Sequence, residues 1–328
     1  MKQLIFFLSV ILGLQSLCEV NADDDYKGYQ VIRLHLRTDC QVGELRKLTD
    51  KLKIDFWRGP NIGRSTDIMV PPESKDQLES FAKDNGLKMV IVVKDVAKVI
   101  KTAEKGNNQT RELHFRKRSS NDIVGIYAKH EEINSWLESL SKQYNFVSTV
   151  DIGKSYEGRT EKVLKIATGP NKPIVFIDAG IHAREWIAPA SLIYLTAKLL
   201  RDYAEGNRLA KSVLDKYELQ ILPVANPDGY AFTHTGGRNR LWRKTRKPYG
   251  RCHGADPNRN FDSAFGGPGT SSDPCSDIYH GPSAFSEVEA KNLRDHFNSD
   301  MSRFKVYFSI HAYGQMWFIP YGYSKRNP

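Results

Sequence analysis

The sequence predicts an α/β fold: a mixed, mainly parallel sheet flanked by helices, preceded by a smaller unit with strands and helices of its own. Two observations carry this. Short apolar runs such as Ile174-Val-Phe-Ile177 read as strands buried on both faces. Segments with apolar residues at helical spacing alternate with those runs, which is the order expected of a sheet covered by helices.

The elements can be justified in chain order. Residues 1–22 join an early lysine to a short apolar run and end at Val20-Asn-Ala22, which reads as a signal peptide cut near Ala22. The run is shorter than the roughly 20 residues that span a bilayer, so no membrane anchor is expected. In residues 27–100, Ile32, Leu34 and Leu36 alternate as in a half-buried strand. Ser74–Asn85 has helical composition closed by Gly86, and Met89–Val93 is a further strand. Residues 105–120 are polar and end in the basic run Arg116-Lys117-Arg118, which predicts an exposed linker open to a trypsin-like protease. Within it, Asn108-Gln-Thr110 is a glycosylation sequon.

Beyond the linker, Ile133, Trp136, Leu137, Leu140 and Tyr144 form the apolar stripe of a helix. The strand at Ile174–Ile177 is followed by a covering helix over Ala188–Ala204. Leu219–Val224 and Phe304–Ile310 are further buried strands, and Ser286 with Glu289 has the spacing of a capping box that opens a helix between them. The division is therefore 1–22, 23–118 and 119–328.

Composition excludes several classes. With 40% hydrophobic and 26% charged residues, the chain has enough apolar surface for a core and is neither disordered nor fibrous. Its net charge of +10 is spread evenly, +5 in 23–118 and +5 in 119–328, so no region has the concentrated excess of a nucleic-acid binder.

In open α/β sheets ligands collect beyond the carboxyl ends of strands. His182 and Glu185 follow the strand at Ile174, and His311 follows Phe304–Ile310 directly. Two histidines and a carboxylate, one of them remote in sequence, suit a catalytic zinc that keeps a fourth position for water. The alternative is histidines that merely pack or cap strands. A His-x-x-Glu spacing is weak alone, since His253-Gly-Ala-Asp256 matches a similar pattern. An adjacent His-x-x-Glu-His zinc motif is ruled out, because Trp186 stands where its second histidine belongs.

Five further segments sharpen the reading. His182-Ala-Arg-Glu-Trp186, Asn226-Pro-Asp-Gly-Tyr-Ala-Phe-Thr-His234, Asn239-Arg-Leu-Trp-Arg-Lys-Thr245, Asp256-Pro-Asn-Arg-Asn-Phe261 and Ser309-Ile-His-Ala-Tyr-Gly-Gln315 together resemble the zinc carboxypeptidases of the pancreatic A/B type. Asp55-Phe-Trp57 and Asp67-Ile-Met-Val70 resemble the activation segment of their proenzymes. The resemblance implies a carboxypeptidase-like sheet behind a small α+β open-sandwich activation domain. It implies one zinc ion per chain on His182, Glu185 and His311, with Asp256 accepting the other ring N–H of His182. Arg243 would stabilise the oxyanion, and Arg184, Asn258, Arg259 and Tyr313 would bind substrate. A Cys252–Cys275 disulfide is implied as well. The implied protein is a secreted, monomeric precursor that acts on peptides with a free C-terminus after a trypsin-like protease cuts at Arg116, Lys117 or Arg118.

The chain departs from the family pattern by stopping 17 residues after His311. The glutamate that serves the family as general base is not present in the sequence, so the fold is expected to lack its C-terminal part. This chain itself is then expected to turn over weakly, or to bind zinc or peptide C-termini without efficient turnover. Loss of a general base costs about 10²–10⁴ in rate.

Overall fold

The computed structural model describes residues 25–52, 54–117 and 122–320. The expected signal peptide and Arg118 lie outside the described residues. None of the described helices is long and apolar enough to cross a membrane.

The first unit contains β1 (Gln30–His35), α1 (Asp39–Leu52), β2 (Asp55–Arg58), β3 (Ser65–Val70), α2 (Lys75–Asp84) and β4 (Val90–Val93). Its antiparallel sheet has the order β2-β3-β1-β4. The pleat sorts its residues: Ile32, Leu34 and Ile68 point to one face, where they pack with Leu45 of α1 and Leu78 and Ala82 of α2. Val31 and Met69 point the other way and pack with Trp57, Val96 and Leu241 of the second unit. Register places Asp55 opposite Met69 and Asp67 opposite Arg33, on that second face. This is the expected open sandwich of two helices on a sheet.

The stretch expected to be a linker is helical. α3 runs from Val96 to Lys117 and passes straight through the sequon, where Asn108 is exposed. Gly106 and two asparagines are poor helix formers, but tertiary contacts override that propensity. The Asn107 side chain donates to Tyr127 O (3.3 Å) and accepts from Tyr127 N (2.8 Å). Arg111 grips Glu132 with two bonds of 3.0 and 2.5 Å.

The second unit contains α4 (His130–Gln143), β5 (Val147–Lys154), β6 (Thr160–Ile166), β7 (Ile174–Ala179), α5 (Ile187–Ala204), α6 (Arg208–Leu214), β8 (Glu218–Leu222), α7 (Pro227–Thr233), β9 (Pro248–Tyr249), β10 (Cys252–His253), α8 (Val288–Ser299) and β11 (Phe304–Ile310). The main sheet has the order β11-β7-β8-β6-β5. It is mixed: β11, β7 and β8 run parallel, and β6 joins β8 and β5 antiparallel. Helices α4, α5 and α7 cover one face through Ile133, Trp136, Leu137, Leu192, Leu200 and Tyr230. On the other face α8 packs Leu293 and Phe297 against Val163, Phe176 and Leu222.

The capping box expected at Ser286 and Glu289 does not form. α8 begins at Val288 with Glu287 at its N-cap and no side-chain cap. Ser286 Oγ is used elsewhere, accepting from Asn260 (2.8 Å) and donating to Glu287 (3.2 Å). Glu289 is buried, with its Oε1 accepting from Tyr156 N at 3.3 Å.

Candidate metal centre

Two parallel neighbours in the sheet deliver the site. β7 ends at Ala179, and the chain turns through Gly180 to His182 and Glu185; adjacent β11 ends at Ile310, immediately before His311. The turn after β7 is tied down by backbone bonds from Ala225 N to Ala179 O (2.9 Å) and Asn226 N to Gly180 O (3.2 Å). The placement follows from strand order, since neighbouring parallel strands present their carboxyl ends side by side.

His182 Nδ1 lies 2.8 Å from Glu185 Oε1, His311 Nδ1 lies 3.1 Å from Glu185 Oε2, and the two Nδ1 atoms are 3.2 Å apart. Among the described residues, these three form the group whose donor atoms all lie within 4.8 Å of one another. Zinc–nitrogen bonds of about 2.0–2.1 Å give a tetrahedron with edges of about 3.3 Å, close to these spacings. The chemistry also fits. Two facing imidazole nitrogens need either a shared proton or a cation between them, and a carboxylate completes a hard-borderline donor set. Burial alone would raise the Glu185 carboxyl, but hydrogen bonds from His182 and His311 and their charge hold it well below the usual carboxylate range.

Behind this group, His182 Nε2 lies 3.2 Å from Asp256 Oδ1. Asp256 is fully buried and also accepts Arg243 Nε (3.1 Å) and Nη2 (2.8 Å) on Oδ2, and Asn258 N (2.9 Å) on Oδ1. Burial pushes its carboxyl up, yet Arg243 and His182 outweigh that and keep it well below its ordinary range. Gly254 makes the junction possible. At φ +70° it lets the backbone pass so close to Thr245 that a Cβ would sit 2.0 Å from Thr245 O. Residues 243–245 therefore lie alongside 254–256, and Arg243 meets Asp256.

The second histidine is backed by residues for which no role was expected from sequence: Ser309 stood only as the start of a motif, and Tyr307 and Asp178 only as strand residues. His311 Nε2 lies 3.3 Å from Ser309 Oγ, which donates to Asp178 Oδ1 at 2.6 Å; Tyr307 OH donates to Oδ2 at 2.5 Å. Burial at the end of β7 raises the Asp178 carboxyl to about 6 despite those two bonds. A carboxylate closing an otherwise apolar strand was the available signal.

The remaining expected residues divide into two groups. Arg259 sits beside Asp256 and Arg243, held by bonds from Nε to Gly269 O (3.0 Å) and Nη1 to Asn258 O (2.9 Å). Asn258 is exposed next to it. Arg184 and Tyr313, by contrast, are taken up by the first unit. Arg184 Nη1 donates to Asp55 Oδ2 at 2.6 Å and also pairs with Asp277 at 3.6 Å. Tyr313 OH donates to Asp67 Oδ2 at 2.5 Å, with the Arg58 guanidinium 5.3 Å from its ring centre. Asp55 and Asp67 stood in the sequence only as parts of two motifs; an aspartate heading an apolar Ile-Met-Val run was the hint that it serves a contact.

By composition the basic run from Arg238 to Arg251 would be a solvated face around Arg243. Much of it is not. Arg246 lies 3.6 Å over Phe232 and 4.6 Å from Trp242, Arg240 lies 3.7 Å over Trp186, and Lys244 is buried and donates to Pro274 O. The run alternates with aromatic residues brought in by the fold, and the cations lie on their faces. Cys252 and Cys275 are joined with Cα atoms 5.3 Å apart, and Arg116 and Lys117 close α3.

Comparison with known proteins shows the family. Residues 133–328 match the zinc carboxypeptidase family, and residues 32–103 match the carboxypeptidase activation peptide. The chain is 38% identical to carboxypeptidase A1 of Sus scrofa over 332 residues, covering 99% of this chain and 76% of that protein. It is 39% identical to carboxypeptidase A2 of Mus musculus over 318 residues, or 94% and 74%. The crystal structure of carboxypeptidase A from Helicoverpa armigera aligns with a TM-score of 0.77 at 31% identity, covering 88% of this chain and 71% of that one. Three candidate donors at two neighbouring strand ends, an activation unit ahead of them and relatives matched over nearly all of this chain give one assignment: the chain belongs to the zinc carboxypeptidase family and carries that family's activation peptide.

Proposed function

We propose that this chain is the precursor of a secreted, zinc-dependent metallocarboxypeptidase that removes C-terminal residues from peptides once its activation segment has been cut. The observation that carries the reading is the convergence of His182, Glu185 and His311 within one coordination sphere, with Arg243 and Arg259 beside it. A zinc ion held by those three residues, one per chain, would polarise the scissile carbonyl and lower the pKa of bound water to about 7.

The chain's own residues do the rest. Asp256 accepts the His182 Nε2 proton and so fixes one tautomer, which leaves the Nδ1 lone pair free for the metal. Arg243 spends Nε and Nη2 on Asp256, and its Nη1 carries no hydrogen bond among the described residues, leaving a donor for developing oxyanion charge. Arg259 and Asn258 take the substrate's terminal carboxylate, a planar anion suited to a guanidinium. That clamp makes the enzyme an exopeptidase.

Latency is supported by the two contacts that cross between units. Asp55 and Asp67 hold Arg184 and Tyr313, the residues proposed to bind substrate further along the cleft. In this reading residues 23–118 are the activation segment and residues 119–328 the peptidase domain, acting as a monomer. A trypsin-like protease would cut at Arg116–Arg118, where Arg116 is exposed. Export is supported by the apolar segment at the start of the chain and the disulfide of the second unit.

The test is to treat the purified chain with trypsin, add zinc, and follow release of C-terminal residues from a model peptide. Weak release that needs both treatments and stops with a chelator is expected of this chain. Zinc binding without release would instead leave a zinc-dependent binder of peptide C-termini.

A further inference from the structure

The turn that carries Glu185 is gripped on both sides by one side chain. Arg240 Nη1 donates to Arg184 O at 2.9 Å, and its guanidinium lies 3.7 Å from the ring centre of Trp186. These are the residues immediately before and after Glu185. Beneath the indole, His234 stacks at 4.1 Å with an interplanar angle of 10°, while Trp186 Nε1 donates to Thr233 Oγ1 at 2.8 Å. Guanidinium and imidazole thus both stack on the indole, and the guanidinium also holds the backbone on the other side of Glu185.

Glu185 itself is held by Glu185 N donating to His182 O at 3.2 Å and by Ala312 N donating to its Oε2 at 3.0 Å, and Arg240 adds the restraint on the residues either side. Trp186 is the N-cap of α5 and makes no side-chain cap hydrogen bond, so the first turn of that helix lacks the usual restraint. The loop that supplies Arg240 also supplies Arg243, whose carbonyl accepts from Ala183 N at 3.1 Å. Residues 183, 184 and 186 are therefore all held by the 240–243 loop, and Glu185 lies among them. Arg240 makes no ion pair among the described residues, Glu104 acting on it only from a distance, and a largely buried guanidinium with no carboxylate in contact is a costly way to fill space that an apolar side chain of similar length would fill. Its two contacts are where its charge and donors are used.

We propose that Arg240 is a positioning residue for the metal centre: by fixing the 184–186 turn it holds the Glu185 carboxylate opposite His182 and His311. The inference rests on the zinc reading above. It adds a residue that touches neither metal nor ligand.

The test measures zinc affinity of the full chain by competition with a chromophoric chelator, in the parent, R240M and R240Q. Residues that orient metal ligands typically cost 10–100-fold in metal affinity when lost, so R240M is expected to bind zinc about 10-fold more weakly than the parent. R240Q keeps a donor for Arg184 O but removes the cation from the indole, and is expected to lose about 3-fold. The thermal midpoint of the metal-free chain is read in parallel, since a packing role alone would move it and leave affinity on the folded chain unchanged. Parental zinc affinity in whichever of the two variants folds overturns the inference while leaving the metal site intact. A parent chain that binds no zinc overturns the metal reading and this inference together.

Discussion

Arg184 and Asp55 meet across the boundary between the two units, with Arg184 Nη1 donating to Asp55 Oδ2 at 2.6 Å and Nη2 to Oδ1 at 3.3 Å. Both side chains are largely shielded from solvent, so the pair is strong only while both members are present. Substituting Asp55→Ala leaves the Arg184 charge without its main partner, an interface loss of about 2–5 kcal/mol. Hydrogen exchange of the uncut chain is expected to rise across β2 and β3, and tryptic conversion to speed up. Unchanged exchange in D55A would show that the apolar face around Met69 and Trp57 holds the units together without it.

Asp256→Asn removes the charge shared by His182 and Arg243. Zinc affinity is expected to fall about 10–100-fold, measured by chelator competition, because the His182 tautomer is no longer selected. Arg243 also loses its partner, so the metal-free protein is destabilised as well. An affinity equal to that of the parent would mean that another group orients His182.

Glu161 and Glu289 are both buried, and each has one carboxylate oxygen with no partner. Burial raises both carboxyls, Glu289 to about 7. A raised carboxyl contributes stability below its unfolded pKa near 4.5 and loses it as pH rises through the folded value, here between about pH 4.5 and 7. For Glu289 that difference amounts to at most about 3 kcal/mol. The urea midpoint of the parent is expected to fall over this window, and that of E289Q to fall less. Parallel pH profiles for the two proteins would refute the assignment.

Reducing Cys252–Cys275 opens a loop with a sequence separation of 23 residues, one that carries Asp256, Asn258 and Arg259. Loop entropy sets the cost at about 3 kcal/mol. A C252A/C275A variant is expected to melt several degrees lower and to bind zinc more weakly, through Asp256. A lower melting temperature with full zinc affinity would confine the bridge to a stabilising role.

Much of this was legible in the chain alone, for identifiable reasons. Ile174–Ile177 and Phe304–Ile310 announce buried strands because both faces must be apolar, and histidines at their ends announce a site because strand ends are where polar ligands can gather. Other readings failed where local pattern and tertiary demand diverge. Residues 105–117 are too polar and glycine-containing to predict a helix, yet Tyr127 and Glu132 hold them in one. Ser286 and Glu289 have capping spacing, but Asn260 and Tyr156 claim their side chains first.

The sequence by itself determined the family, through the motifs that resemble it, and the candidate metal donors, through their place at the ends of two apolar strands. Only the tertiary structure decided how they are used. Asp55 holding Arg184, Asp67 holding Tyr313, Ser309 standing behind His311 and Arg240 lying on Trp186 are contacts that the sequence does not specify, although Ser309 and His311 share strand spacing. Three of the four span more than 50 positions, and all depend on side-chain orientations that are set only when the units pack.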